Sequence, residues 1–224
     1  MTNASRHIDL SHVVENGMVT YAGLPAPKIS DFLSRADSRT RYSPGTEFQI
    51  GLIEMCANTG TYVDSPFHRY PEGPDLAGLE LDRLADVEGI TVDASAAPRG
   101  AIDRGQLLAH DVADKAVLVR TGWDRHWRTD AYFTGHPFLT QDAARYLVER
   151  GALVVGIDSY NIDDTSGGER PVHSTLLAAG VPICEHLTGL ERLPSRGFRF
   201  TAVPVKVRGM GTFPVRAFTL VEEG

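Results

Sequence analysis

The sequence predicts a mixed α/β fold with few helices, and three observations carry that expectation. Segments rich in β-branched residues are short and scattered along the whole chain, strong helical patterning is confined to one stretch, and 22 Gly and 13 Pro are dispersed between them as turn formers. With 224 residues, 42% hydrophobic and 23% charged, the chain can bury a substantial core and reads as one domain over 1–224. It contains no internal repeat, low-complexity tract or linker.

The strand patterns, in order, are FQIGLIEM (48–55), ITVDAS (90–95), AVLVRTG (116–122), ALVVGIDS (152–159), VPICEHL (181–187), RFTAVPVKVRG (199–209) and RAFTLVEE (216–223). In the first, Phe48, Ile50 and Leu52 share one face and Gln49, Gly51 and Ile53 the other, so one face is expected to be wet or to touch something small. The clearest helix is TQDAARYLVER, where Thr140 is the expected N-cap. Ala143, Tyr146, Leu147 and Arg150 recur at helical spacing, and Gly151 supplies the left-handed exit. IDRGQLLAHDV (102–112) and HSTLLAAG (173–180) are further helical candidates, the second ending at Gly180 with Pro182 just beyond. Strand, helix and strand over 116–159 read as a βαβ unit, and the C-terminal third as consecutive strands. Residues 21–46, rich in Pro, Ser and charge with weak periodicity, read as an irregular arm or lid.

A formal charge of −7 and a pI near 5.6 leave no global basic field for a phosphate backbone, which argues against a nucleic-acid partner. Cys56 and Cys184 sit in the apolar stretches LIEMCA and VPICEHL, the setting of buried thiols and not of a disulfide framework. The N-terminal segment lacks a signal-peptide pattern, and no run approaches the ~18 apolar residues that would cross a bilayer. The expectation is a cytoplasmic protein with no membrane partner.

Chemistry concentrates in CANTGTYVDSPFHRYPEG (56–73), where an apolar strand feeds directly into a polar loop. Were 58–64 extended, Asn58, Tyr62 and Asp64 would share a face with Gly60 leaving room between them, and His68 would follow the Pro66 turn. Each residue also has a structural explanation. Asp64 can hold the turn at Ser65–Pro66, His68 can be a surface residue, and His173 can cap a short helix. Glu185 lies inside an apolar strand and needs a partner: a metal, His173, Arg69 or Arg170. Asp158 and Asp163 read as carboxylates holding turns after a strand, and His136 as structural. His7, His12, His110, His126 and His186 have no evident pairing.

The stretch NTGTYVDSPFH resembles the signature H-x-G-T-H-x-D-x-P-x-H of the cyclase/kynurenine formamidase-like metal hydrolases, a group that includes arylformamidase and isatin hydrolase-like proteins. Gly60, Thr61, Asp64, Pro66 and His68 match in type and spacing, whereas the two ligand histidines are replaced by Asn58 and Tyr62. The similarity extends through 7–25, VLVRTGWDRHW (117–127), 136–164, VHSTLLAAGVPICEHL (172–187) and 204–220, and so covers nearly the whole chain. It implies a swivelling β/β/α-type domain, a small-molecule substrate and a homodimer or homotetramer.

The resemblance also implies a second ligand set. His173 and Glu185 match the His and Glu that accompany the motif's Asp, so Asp64, His173 and Glu185 form an O/N/O set suited to one divalent ion, zinc or manganese. An amide oxygen is a much weaker ligand than imidazole, and a phenol must lose a proton of pKa near 10, so the metal is either retained at this second set or absent. The implied activity is addition of water to an amide, lactam or ester carbonyl. His68 would act as general acid/base, Tyr62 and Asn58 would polarise the carbonyl, and Trp123, Tyr21 and Phe48 would form aromatic walls. One alternative is a metal-free cyclase or lyase using His68, His173 and Glu185 as acid–base groups. Another is a non-catalytic ligand-binding relative.

Overall fold

A computed structural model describes residues 5–97 and 100–222. Its strands are β1 (Ser5–Asp9), β2 (Lys28–Leu33), β3 (Ile50–Glu54), β4 (Tyr62–Asp64), β5 (Val87–Asp93), β6 (Ala101–Ile102), β7 (Ala116–Arg120), β8 (Phe138–Leu139), β9 (Val154–Ile157), β10 (Ile183–Glu185), β11 (Arg196–Thr201), β12 (Thr212–Pro214) and β13 (Phe218–Glu222). The α-helices are α1 (Arg35–Ser38), α2 (Gln141–Glu149) and α3 (Pro171–Ala178).

Nine strands form one mixed sheet in the order β1-β13-β11-β5-β7-β9-β10-β4-β12. Within it β5, β7, β9 and β10 run parallel, and the flanking pairs are antiparallel. Central strands covered on both faces read as near-continuous apolar runs. Side chains alternate accordingly: Val117 and Val119 of β7 join Val155 and Ile157 of β9 under Leu147 of α2 and Leu176 of α3. Ala116 and Leu118 face the opposite core with Val154, Cys184, Phe198 and Phe200. The β7–α2–β9 connection is the expected βαβ unit, its two strands adjacent and parallel. In α2 the Thr140 hydroxyl accepts the Ala143 N–H, Tyr146 and Leu147 are buried, and Gly151 has φ 78° beyond the last turn.

Several elements differ from their sequence patterns. Residues 102–112 are not a helix: β6 leads into a single 3-10 turn, Arg104–Gln106, closed by a reciprocal Asp103–Gln106 cap, and Gly105 inside it disfavours propagation. The strand expected over 199–209 is β11, which starts earlier and stops at Thr201; Pro204 then lacks a ladder donor. The strand over 181–187 shrinks to β10, because Pro182 has no N–H and His186 turns out at φ 56°. The 21–46 arm is not irregular throughout, since it contains β2 and α1, the latter capped by Ser34. β3 pairs only with β2, in a ribbon separate from the main sheet, and all five of its residues are exposed. Both of its faces are therefore open, not one. Glu223, the last residue of the 216–223 pattern, lies outside the described residues.

The sheet's register places the polar side chains of interest. Antiparallel pairing sets Tyr62 opposite Glu185, and Asp64 opposite both Ile183 and Thr212. Directly opposed residues project to the same face. Ile183 belongs to the core beneath α2 and α3, so Tyr62, Asp64, Glu185 and Thr212 all point toward α3. Just before β12, a Cβ on Gly211 would lie 2.5 Å from the His68 backbone, so glycine lets this strand pass against the His68 turn. Among the described residues, no helix is long and apolar enough to cross a membrane.

Candidate active site

A cavity of about 280 Å³ opens beside the first turn of α3, with Asn58, Tyr62, His68, His173 and Glu185 in its wall. The fully buried Asp64 lies behind His68 and His173, close enough that ligand atoms of these three residues all fall within 4.8 Å of one another.

His173 is held from behind. The Asp163 carboxylate accepts the backbone N–H groups of Val172 (2.7 Å) and His173 (2.9 Å), and also bonds the ring Nδ1 at 2.7 Å. A carboxylate here only accepts, so Nδ1 carries the hydrogen. Nε2 then faces Asp64 Oδ2 at 3.7 Å and Glu185 Oε1 at 3.8 Å, beyond hydrogen-bonding distance. Burial alone would lower the pKa of His173, but Glu185, Asp163 and Asp64 together lift it well above its ordinary value.

His68 is aligned through Thr212. The Thr212 hydroxyl donates a short hydrogen bond to Asp64 Oδ1 and sits 2.9 Å from His68 Nδ1. Since the single hydroxyl proton goes to Asp64, His68 Nδ1 is the donor to Thr212, and Nε2 is left as the basic nitrogen of the neutral ring. Burial opposes the Asp64 anion, yet His173, His68 and Thr212 outweigh it and hold the carboxyl below its usual range.

Glu185 is buried and its oxygens are engaged: Oε2 accepts the Tyr62 hydroxyl and Oε1 the Ile162 N–H, each at 2.7 Å. Burial pushes its pKa up to about 7, against the pull of His173. Burial, with Glu185 and Asp64 nearby, raises the Tyr62 phenol well above its ordinary pKa. Tyr62 therefore stays protonated, donates to Glu185, and has no second proton with which to polarise a substrate carbonyl as the sequence suggested. It is equally unsuited to replace an imidazole at a metal.

The other expected site residues divide. Asn58 and Tyr21 line the cavity, and Tyr21 stacks on Tyr160 with ring centroids 4.8 Å apart. Trp123 lies away from it, its indole N–H donating to the Tyr132 carbonyl at 3.0 Å. Phe48 packs edge-on against Tyr42 in the connection between β2 and β3 and is likewise no wall of this cavity. Asp158 holds a turn as expected, accepting from Thr121 and Gly122. Asp163 does more than hold a turn, because it fixes a ring at the site. Thr212 had no sequence signal, and Asp163 showed one only as a carboxylate after the 152–159 strand pattern, where it was expected to hold a turn.

The donor set fits one divalent cation. Asp64 Oδ2 is buried without a hydrogen-bond partner, and His173 Nε2, which would give up its proton to a bound cation, faces it beside a second carboxylate. A histidine whose other nitrogen is bonded to a carboxylate is the usual arrangement behind a metal ligand. Asn58 and the protonated Tyr62 do not furnish a second site.

The Cyclase family model matches residues 8–164. Kynurenine formamidase of Bacillus cereus is 24% identical over 220 residues, covering 95% of this chain and 96% of its own length. A structure described as a potential metal-dependent hydrolase with cyclase activity superposes with TM-score 0.80 at 26% identity, covering 99% of this chain and all of the other. Isatin hydrolase A from Labrenzia aggregata has the same fold, with TM-score 0.84 at 22% identity over 98% of this chain and 94% of its own. With the family model spanning both the first motif and the βαβ unit, this chain belongs to the Cyclase family.

Proposed function

We propose that this protein is a hydrolase that adds water to the carbonyl of a small amide or lactam, and by the same chemistry an ester. The observation that carries this reading is the unpartnered Asp64 Oδ2 facing His173 Nε2 beside a cavity. Asp64, His173 and Glu185 would hold one zinc or manganese ion, which when bound supplies Lewis-acid polarisation of the carbonyl and a lowered pKa for water. The formamidase relative supports a carbon–nitrogen bond as the target. His68, held through Nδ1 by Thr212, takes the proton of the attacking water at Nε2 and returns it to the leaving nitrogen. Asn58 offers an amide N–H to the carbonyl oxygen, Tyr62 fixes Glu185, and Tyr21 supplies an aromatic wall.

One observation favours a second reading. The Asp64–Thr212–His68 chain is complete without any ion, and both first-motif histidines are gone, so His68, His173 and Glu185 form an acid–base group for a metal-free cyclase or lyase. Metal analysis of protein purified without chelator, with hydrolysis of formanilide and an aryl lactam, separates the two. The expected result is roughly one equivalent of metal, lost together with activity in Asp64→Ala. His68→Ala should keep its metal while kcat falls by about 10²–10⁴. Full hydrolysis by a metal-free preparation would overturn the metal site, and a metal-free protein that leaves both compounds intact but closes a ring or eliminates on a small polar precursor would favour the second reading.

Self-association is proposed through the β2–β3 ribbon, where Phe32, Leu52 and Ile53 are 69%, 53% and 55% exposed. A lone two-stranded ribbon is marginal in water, and open apolar side chains on both of its faces suit a second copy of the chain. Sedimentation should find a dimer or tetramer that Phe32→Glu combined with Ile53→Glu converts to monomer. The two free thiols support a reducing, cytoplasmic setting.

A further inference from the structure

Two guanidinium groups line the cavity, and the chemistry proposed above uses neither. Arg69 directly follows His68, and Arg170 directly precedes Pro171 at the start of α3. Arg69 is anchored on the first turn of that helix and Arg170 on the loop that leads into it. Arg170 Nη1 donates to the carbonyls of Glu169 (2.7 Å), Gly167 (2.9 Å) and Asp164 (3.3 Å), and its Nε and Nη2 make no hydrogen bond among the described residues. Arg69 Nε reaches Ser174 Oγ at 3.4 Å, its guanidinium carbon lies 5.4 Å from the Tyr70 ring centre, and both of its Nη groups are likewise uncommitted.

Neither cation has a carboxylate within the 4.0 Å of an ion pair among the described residues. Arg120, Arg128, Arg199 and Arg216 each do. The acids nearest the cavity cannot serve. Asp64 and Glu185 are 0% and 1% exposed and already bonded to Thr212, Tyr62 and Ile162. The cavity thus has a buried anionic floor and, on its α3 side, two tethered cations with forked donors to spare.

We propose that Arg69 and Arg170 form a carboxylate subsite, so that the ligand of this cavity carries a carboxylate remote from the carbonyl that is attacked. As a statement about substrate, this rests on the hydrolase reading. Guanidinium N–H groups match a planar carboxylate in geometry, and prior anchoring reduces the entropy lost on pairing. A single carboxylate also suits a cavity whose floor is negative, where a dianion would meet stronger repulsion.

The test is calorimetric binding of benzoate and of benzamide to the full-length protein and to Arg69→Met and Arg170→Met. Benzoate is expected to bind about tenfold more tightly than benzamide, and each substitution to weaken benzoate about tenfold while leaving benzamide within about twofold. Equal binding of the two compounds overturns the proposal. So does benzoate binding that ignores both substitutions, the result expected if the carboxylate goes instead to a cation at Asp64 and His173. Inorganic phosphate competing as strongly as benzoate would also overturn the carboxylate assignment. Formanilide hydrolysis by the same preparations reads the other proposal separately: its absence alongside arginine-dependent benzoate binding would sink the hydrolase reading and leave the subsite standing.

Discussion

Two buried histidines flank Glu185 and have opposite electrostatic fates. His173 meets carboxylates of Asp163, Asp64 and Glu185 at 2.7, 3.7 and 3.8 Å, and its proton affinity is raised far above normal. His186, the next residue along the chain from Glu185, sits among the rings of Tyr62, Trp127 and Tyr132. Its Nδ1 shares a 3.2 Å hydrogen bond with the Tyr132 hydroxyl, its Nε2 is buried without a partner, and burial drives its pKa down to about 3. Desolvation acts on both rings in the same direction. The carboxylates on the α3 face reverse its sign for one of them, and they turn a packing residue into a proton or cation holder.

The sharpest way to break this contrast is to substitute each ring. His173→Gln removes the nitrogen facing Asp64 and is expected to lower kcat/KM by about 10² or more. His186→Asn keeps a side chain tolerant of positive φ and is expected to cost about 2 kcal/mol of stability through the lost ring, with kcat/KM within about threefold of wild type. Steady-state kinetics and urea unfolding on both variants check the pair; equal loss of activity would erase the distinction. A smaller effect is expected at Asp163→Asn. The amide can offer an N–H where the carboxylate only accepted, which disturbs the His173 tautomer. Metal affinity measured by competition with a chelating dye should weaken about 10–100-fold, with the fold retained.

The same contrast shows what the sequence could reveal. The βαβ unit was legible because its signals are local: Thr140 and Gly151 bracket an apolar repeat, and β7 and β9 are apolar throughout. Asp103 and Gln106 are a genuine cap, yet a cap states where a turn begins and not how far a helix runs. At the site, His173 and Glu185 could be singled out through a motif and through an odd carboxylate in an apolar run. The Asp163–His173 bond and the Thr212 bridge to Asp64, 148 residues apart, come from strand register and helix placement, which no local pattern encodes. Phe48 misled because alternation along 48–55 describes a ribbon open on both sides as well as one packed on a core.

A last, smaller effect tests whether the aromatic side of the contrast extends beyond His186. His12 stacks on Trp127 at 3.8 Å with the rings 6° from parallel; its Nε2 is buried and unpartnered, and burial lowers its pKa to about 4, partly opposed by Asp124. The unfolded chain binds a proton at this residue below the ordinary value of 6.5, whereas the folded protein does so only below about 4. Unfolding therefore takes up a proton in that window, and the contribution of His12 to stability is present above pH 6.5 and lost as pH falls toward 4. His12→Phe preserves the stacked ring and the backbone N–H that bonds Thr61 Oγ1 at 3.0 Å, but removes the titration. Urea unfolding at pH 7 and pH 4.5 should show the variant losing about 1–2 kcal/mol less than wild type between the two conditions. Equal losses would mean that this imidazole is already solvated in the folded protein, and that the aromatic pocket depressing His186 ends before it reaches residue 12.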